Sequence, residues 1–136
     1  MKAKDGFVRL PYSELEVMQI IWELDHEGVQ EICASAIIRR SPELNRLQLT
    51  TVITLIHRLE RKGFIDIRKE GRINCYRPLV DAETYRRCAA QDFLKNVYQN
   101  DTSGLISALL GGDRLPEREI AALRRKLRTA DEAKDK

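Results

Sequence analysis

Long apolar runs are what this chain most plainly lacks. No stretch approaches the ~20 consecutive apolar residues that cross a bilayer, so no membrane partner is expected. Aromatic side chains make up only 6% of the residues, which argues against a single-strand binder that stacks successive bases. The three cysteines, Cys33, Cys75 and Cys88, are odd in number and far apart. That pattern argues against a disulfide framework and reads as reduced, mostly buried thiols. Cys33 falls among apolar residues and reads as a structural thiol in a helix. The two histidines, His26 and His57, are isolated from each other and from the cysteines, so no metal site is expected. Gly-rich phosphate loops are missing, as is any recognisable nucleophile, base and orienting acid. Neither an enzyme nor a cofactor is expected. The opening Met1-Lys-Ala-Lys-Asp-Gly6 leads into no apolar signal core, which points to the cytoplasm.

What is present is a charged chain of 136 residues, 43% hydrophobic and 33% charged. Those values suit a soluble globular protein of one domain or two small ones. Net charge is only +3, but its distribution is uneven. Ten basic and four acidic residues lie between Arg39 and Arg77, and the rest of the chain is net acidic. Concentrated positive charge is what a phosphate-binding surface needs, because released counterions drive affinity.

Hydrophobic periodicity divides the chain. Ser13-Glu-Leu-Glu16 has capping-box spacing, and Leu15, Met18, Ile21 and Trp22 share a face, predicting a helix over Ser13–Leu24. A second helix is expected over Val29–Arg39, ended by Ser41-Pro42. Pro42–Gln48 reads as a polar connection. Then Thr51-Val-Ile-Thr-Leu-Ile-His-Arg-Leu-Glu-Arg-Lys-Gly63 repeats Val52, Leu55, Ile56 and Leu59 on one face, as an amphipathic helix requires. Its other side holds Thr50, Thr51, Ile53, Thr54, His57, Arg58 and Arg61, with Gln48 just ahead. Gly63 is the expected C′ residue. Phe64-Ile-Asp-Ile-Arg-Lys-Glu-Gly-Arg-Ile-Asn-Cys-Tyr-Arg77 alternates like a hairpin, with a tip around Lys69-Glu-Gly-Arg72.

A polar, basic helix followed by a basic ribbon is the layout of a winged helix-turn-helix. Such a module places the helix in the major groove and the ribbon on the backbone. Arginine reads guanine or grips phosphate, threonine meets base edges or phosphates, and isoleucine packs on a thymine methyl. Gln48, Thr50, Thr51, Ile53, Thr54, His57, Arg58, Arg61, Arg68, Lys69 and Arg72 are therefore the expected DNA-binding residues. A winged helix can also serve as a protein-interaction module without nucleic acid. That alternative expects a larger apolar patch on the same face.

Beyond Pro78 the pattern becomes helical. Asp81 is a good N-cap for a helix to about Asn100, with Tyr85, Ala89, Phe93 and Val97 at i+4 spacing. Asn100-Asp-Thr-Ser-Gly104 is a break. Leu105, Ile106, Leu109 and Leu110 form a short apolar helix ended by Gly111-Gly112. Pro116 opens a last helix striped by Ile120, Leu123 and Leu127. Helices this short enclose little core alone, and a second copy supplies the missing surface most simply. Tyr85, Cys88, Phe93, Val97, Leu105, Ile106, Leu109, Leu110, Ile120, Leu123 and Leu127 are the expected dimerisation residues. The expected fold is mainly α with a small β-hairpin wing. Residues 7–80 would form the winged-helix DNA-binding domain and 81–128 the helical dimerisation domain, with 1–6 and 129–136 flexible.

Leu10-Pro-Tyr-Ser-Glu-Leu-Glu-Val-Met-Gln-Ile-Ile-Trp22, Thr51–Ile65, Gly71-Arg72 and Tyr76-Arg-Pro-Leu79 resemble the penicillinase-repressor and methicillin-resistance-repressor family. Phe93-Leu-Lys-Asn-Val-Tyr98 and Glu119-Ile-Ala-Ala-Leu-Arg124 extend the likeness to nearly the whole chain. The resemblance implies a bacterial homodimeric repressor that binds a double-stranded DNA operator. The departures are specific. Leu47-Gln48-Leu49 stands where the family often has Trp-Ser-Pro, and Thr50 and Ile53 stand where basic residues are usual. The operator is then expected to differ, or to be read more through shape and thymine methyls. The connection Arg40–Gln48 is several residues longer than the family norm. In the β-lactam-responsive branch a signalling protease cuts an Asn-Phe bond; this chain has no Asn-Phe pair, and the corresponding position falls near Ala108-Leu109. The copper-responsive branch ends in paired cysteines, which are absent from this C-terminal segment.

Overall fold

The computed structural model describes residues 7–112 and 115–134. Its first helix, α1 (Tyr12–His26), buries Val17, Met18, Ile20, Ile21, Trp22 and Leu24. The expected capping box does not form. Pro11 is the N-cap, no side chain caps the helix, and Ser13 is exposed in the first turn. Starting the helix at Tyr12 turns Glu14 into the interior, where its side chain meets Lys62.

Gly28 takes φ +83° and ends α1, a left-handed conformation open to glycine at little cost. The chain then departs from the helix expected over Val29–Arg39. Residues 29–33 run without helix, and the carbonyl of Ile32 accepts from the amide of Tyr76 at 2.7 Å. That partner on the hairpin outcompetes a local helical bond. Helix α2 is only Ala34–Arg40, with Cys33 at its N-cap. The Pro42–Gln48 connection is not wholly irregular either. Ser41 Oγ accepts from the amide of Leu44 at 3.3 Å, Pro42 takes the first position, and α3 (Pro42–Asn45) forms one turn. Its Leu44 is fully buried.

Helix α4 (Leu49–Arg61) buries Val52, Leu55, Ile56 and Leu59, the four residues that the periodicity selects. Gly63, at φ +82°, reverses the chain, and the amide of Phe64 closes onto Leu59 O at 2.9 Å. Strands β1 (Ile65–Glu70) and β2 (Ile73–Pro78) then pair antiparallel, from Ile65 opposite Pro78 to Glu70 opposite Ile73. Gly71, at φ +65°, starts the two-residue turn, where a primed turn requires that conformation. The register places Tyr76 opposite Ile67, and these two join the core. Ile73, near the tip, is exposed.

The chain divides into two compact units, one ending at Ala90 and one beginning at Gln91, with the boundary inside α5 (Ala82–Asn96). Asp81 Oδ2 accepts from the amide of Thr84, as an N-cap should. Tyr85, grouped by its spacing with the dimerisation residues, instead completes the first unit's core. Its ring lies 5.5 Å from that of Phe7 and 5.7 Å from those of Trp22 and Phe64. Its hydroxyl accepts from the amide of Leu10 at 2.9 Å. Cys88 is partly buried against the same core. Trp22 is a core residue, as expected, and its Nε1 donates to Val80 O at 2.8 Å.

In the second unit α5 ends at Asn96, short of Asn100, and Gln99 and Asn100 take positive φ. Asp101 accepts from the amide of Gly104 at 3.0 Å and starts α6 (Thr102–Leu110), ahead of the expected Leu105. A β-carbon at Gly104 would lie 2.4 Å from Asp101 Oδ2, so the glycine makes room for the cap rather than breaking the helix. Helix α7 (Glu117–Lys134) follows Pro116 and continues past Thr129, whose hydroxyl donates to Arg125 O. Of the ends expected to be flexible, residues 1–6, 135 and 136 lie outside the described residues.

Candidate nucleic-acid interface

Burying one face of α4 fixes what the other presents. Thr50, Thr51, Thr54, His57, Arg58 and Arg61 are exposed and Ile53 is half-buried. Gln48 is the exposed N-cap of the helix, without a side-chain bond to it. Thr54 Oγ1 donates to Thr50 O at 2.9 Å, so its hydroxyl proton is committed within the helix. His57 Nδ1 stands 3.6 Å from Glu60 Oε1. On the hairpin Arg68, Lys69 and Arg72 are all exposed.

The structure sorts the basic residues of this region by partner. Arg40 makes two 2.7 Å bonds to Glu27. Those bonds hold the Glu27 carboxyl below its usual range and the Arg40 guanidinium above its own. Lys62 pairs with buried Glu14, and Arg77 lies 3.7 Å from Asp66. Among the described residues Arg58, Arg61, Arg68, Lys69 and Arg72 have no carboxylate within ion-pair distance, nor do Arg39 and Arg46. These seven positive charges are therefore not neutralised by an ion pair among the described residues.

Two exposed positions were not singled out by sequence reasoning. Arg46 lies between α3 and α4, and Leu49, at the start of α4, is 53% exposed. Leu49 was legible in one respect, since it stands four residues before Ile53 on the same helical face.

Cys33 also differs from its expected setting. It is half-buried at the N-cap of α2, not inside a helix. Burial raises its pKa, but the hydroxyl of Ser35, the amides of Ala36 and Ser35 and the charge of Arg39 outweigh that and lower it overall. Burial raises the pKa of Cys75. Among the described residues no three His, Cys, Asp or Glu side chains group to hold a metal ion. No helix there is long and apolar enough to cross a membrane.

In the second unit Phe93, Val97, Leu109, Leu110 and Leu127 are between 43% and 57% exposed. Leu105, Ile106, Ile120 and Leu123 are half-buried. Exposed apolar side chains thus recur on α5, α6 and α7 or just beyond them.

A family model described as penicillinase repressor matches residues 10–129. The chain is 32% identical over 114 residues to the methicillin resistance regulatory protein MecI of Mammaliicoccus sciuri, covering 82% of this chain and 87% of that one. It is 29% identical over 111 residues to the penicillinase repressor of Bacillus licheniformis, covering 82% and 83%. Among solved structures, the DNA-binding domain of the repressor BlaI, determined in solution, matches with a TM-score of 0.48 and 29% identity. That match covers 62% of this chain and 94% of that one.

Proposed function

The chain belongs to the penicillinase repressor family, and on that premise we propose that it represses transcription by binding duplex DNA as a homodimer. The observation that carries the DNA reading is the set of cations on α4 and the hairpin that have no acidic partner among the described residues: Arg58, Arg61, Arg68, Lys69 and Arg72. Charges left unpaired on a helix and an adjoining ribbon suit phosphate, which supplies the missing anions and releases counterions. A repressor acts by occupying its site, so the chain needs no catalytic group.

In this reading the first unit binds the operator, α4 lying in the major groove and the wing on the backbone. The second unit pairs two copies through Phe93, Val97, Leu109, Leu110 and Leu127. A two-fold dimer would set two α4 helices on a palindrome, one DNA turn or a multiple of it apart. The working compartment is the cytoplasm, where DNA and reduced thiols coexist. A signalling protease is not part of the proposal, because Ala108-Leu109 occupies the region where the β-lactam-responsive branch is cut. A protein-interaction module would present an apolar patch where α4 presents mostly threonine, histidine and arginine, and is not favoured.

The test is selection of bound sequences from a random duplex DNA pool at near-physiological salt. Enrichment of a palindrome with half-sites one turn apart, or a multiple of it, is expected. Weak, salt-sensitive binding with no enriched motif would overturn the proposal.

A further inference from the structure

The first two turns of α4 lack the groups that read bases by paired hydrogen bonds. The positions open to solvent there are Leu49, Thr50, Thr51, Ile53 and Thr54. None is Arg, Lys, Asn or Gln, the side chains that make two-point contacts with guanine or adenine; the nearest such groups are Gln48, the exposed N-cap, and Arg46 ahead of it. Thr54 donates its hydroxyl proton in a bond to Thr50 O, so it presents a methyl group and an oxygen that can only accept. Leu49 is 53% exposed at the head of the helix, and Ile53 stands half-buried one turn later. Residues at i and i+4 lie one above the other, so the pair makes a short apolar strip.

Along the chain Arg46 precedes the strip and Arg58 and Arg61 follow it, with Glu60 between them beside His57, and none of the three arginines has a carboxylate partner among the described residues. An apolar protein partner covering the whole exposed face of α4 would desolvate those arginines without compensation, which is costly. Duplex DNA supplies both complements at once, phosphate for the arginines and, in the major groove, the 5-methyl of thymine for an apolar side chain.

We propose that Leu49 and Ile53, aided by the methyl of Thr54, read thymine 5-methyl groups in the major groove, so that operator choice depends on where thymines fall. The inference rests on the reading of α4 as the groove helix and adds how that helix discriminates. Arginines on the later turns supply affinity, and the apolar strip supplies much of the selectivity.

The experiment uses the full chain and the duplex enriched from the random pool. That duplex is also synthesised with deoxyuridine for every thymidine in its half-sites, which removes only the methyl groups. Each lost methyl contact is expected to weaken binding about fourfold, and two about fifteenfold. The double variant Leu49→Ala, Ile53→Ala is expected to bind the thymine duplex correspondingly more weakly and to distinguish the two duplexes far less. Both side chains are outside the core, and a thermal melt checks that the variant is folded. Equal wild-type affinity for the two duplexes would overturn the inference while leaving DNA binding intact. So would a folded double variant that still prefers the thymine duplex as strongly as wild type. Failure of the wild type to enrich any duplex would instead overturn the reading beneath it, and the inference with it.

Discussion

Lys62 Nζ, at the end of α4, lies 2.5 Å from Glu14 Oε1 in the first turn of α1, 48 residues away in sequence. The Glu14 side chain is 4% exposed and that of Lys62 is 32% exposed. The pair therefore pins the end of α4 to α1 and takes Lys62 out of the set of cations without a carboxylate partner. Its two halves are unequally buried, so their removal should be unequally costly. Lys62→Ala strands a buried carboxylate and should destabilise the protein by about 3 kcal/mol. Glu14→Ala frees a lysine that can rehydrate and should cost about 1–2 kcal/mol. Urea unfolding of both variants checks the order, and a larger loss for Glu14→Ala would contradict it.

Tyr85 makes a second long-range tie, its hydroxyl accepting from the amide of Leu10 at 2.9 Å. Tyr85→Phe keeps the ring contacts and loses that bond, so a cost of about 1 kcal/mol is expected. Tyr85→Ala removes a buried ring as well and should cost about 3–5 kcal/mol. Sedimentation of Tyr85→Phe should show an unchanged oligomeric state, because this side chain serves the first unit's own core.

Arg72→Ala should weaken binding to the operator and to unrelated duplexes alike. Its salt dependence, the slope of log K against log salt, should become shallower by about 0.9, the loss of one phosphate contact. Arg58→Ala should also weaken operator binding. Titrations at several salt concentrations measure both, and unchanged affinity in both variants at moderate salt would remove the assignment of this face.

The apolar residues of the second unit predict the oligomeric state. Val97 and Leu109 are 57% and 50% exposed, so Val97→Glu and Leu109→Glu should leave each chain folded. In the proposed dimer a buried carboxylate without a partner is strongly disfavoured. Both variants should sediment as monomers at concentrations where the wild type is a dimer, and should bind the palindrome far more weakly. Dimers of unchanged strength would place the interface elsewhere.

Cysteine reactivity should follow environment. The lowered pKa of Cys33 gives it more thiolate near neutral pH, whereas burial holds Cys75 protonated. Thiolate is the nucleophile, so iodoacetamide should label Cys33 before Cys75 in the folded protein, faster as pH rises. Peptide mass spectrometry after brief labelling checks the order, and prior labelling of Cys75 would contradict it.

Local features were determined by the sequence. The buried face of α4, the reversal at Gly63, the hairpin and the Asp81 cap all depend on residues within a few positions of each other, where spacing and backbone preference decide. So did membership of the family, through motifs spread along the chain. Features that depend on distant partners were decided only by the tertiary structure. Val29–Cys33 resembles helix until Tyr76 offers its amide to Ile32. Tyr85 fits an i+4 row until Leu10, Phe7, Trp22 and Phe64 surround it. The ten basic residues between Arg39 and Arg77 look alike as a charge excess. Folding pairs Arg40, Lys62 and Arg77 and leaves Arg39, Arg46, Arg58, Arg61, Arg68, Lys69 and Arg72 without carboxylate partners among the described residues. A close ion pair needs its charges within about 4 Å, and beyond roughly 8–10 Å salt screens exposed charges, so which charges remain for DNA is set by distances that only the fold creates.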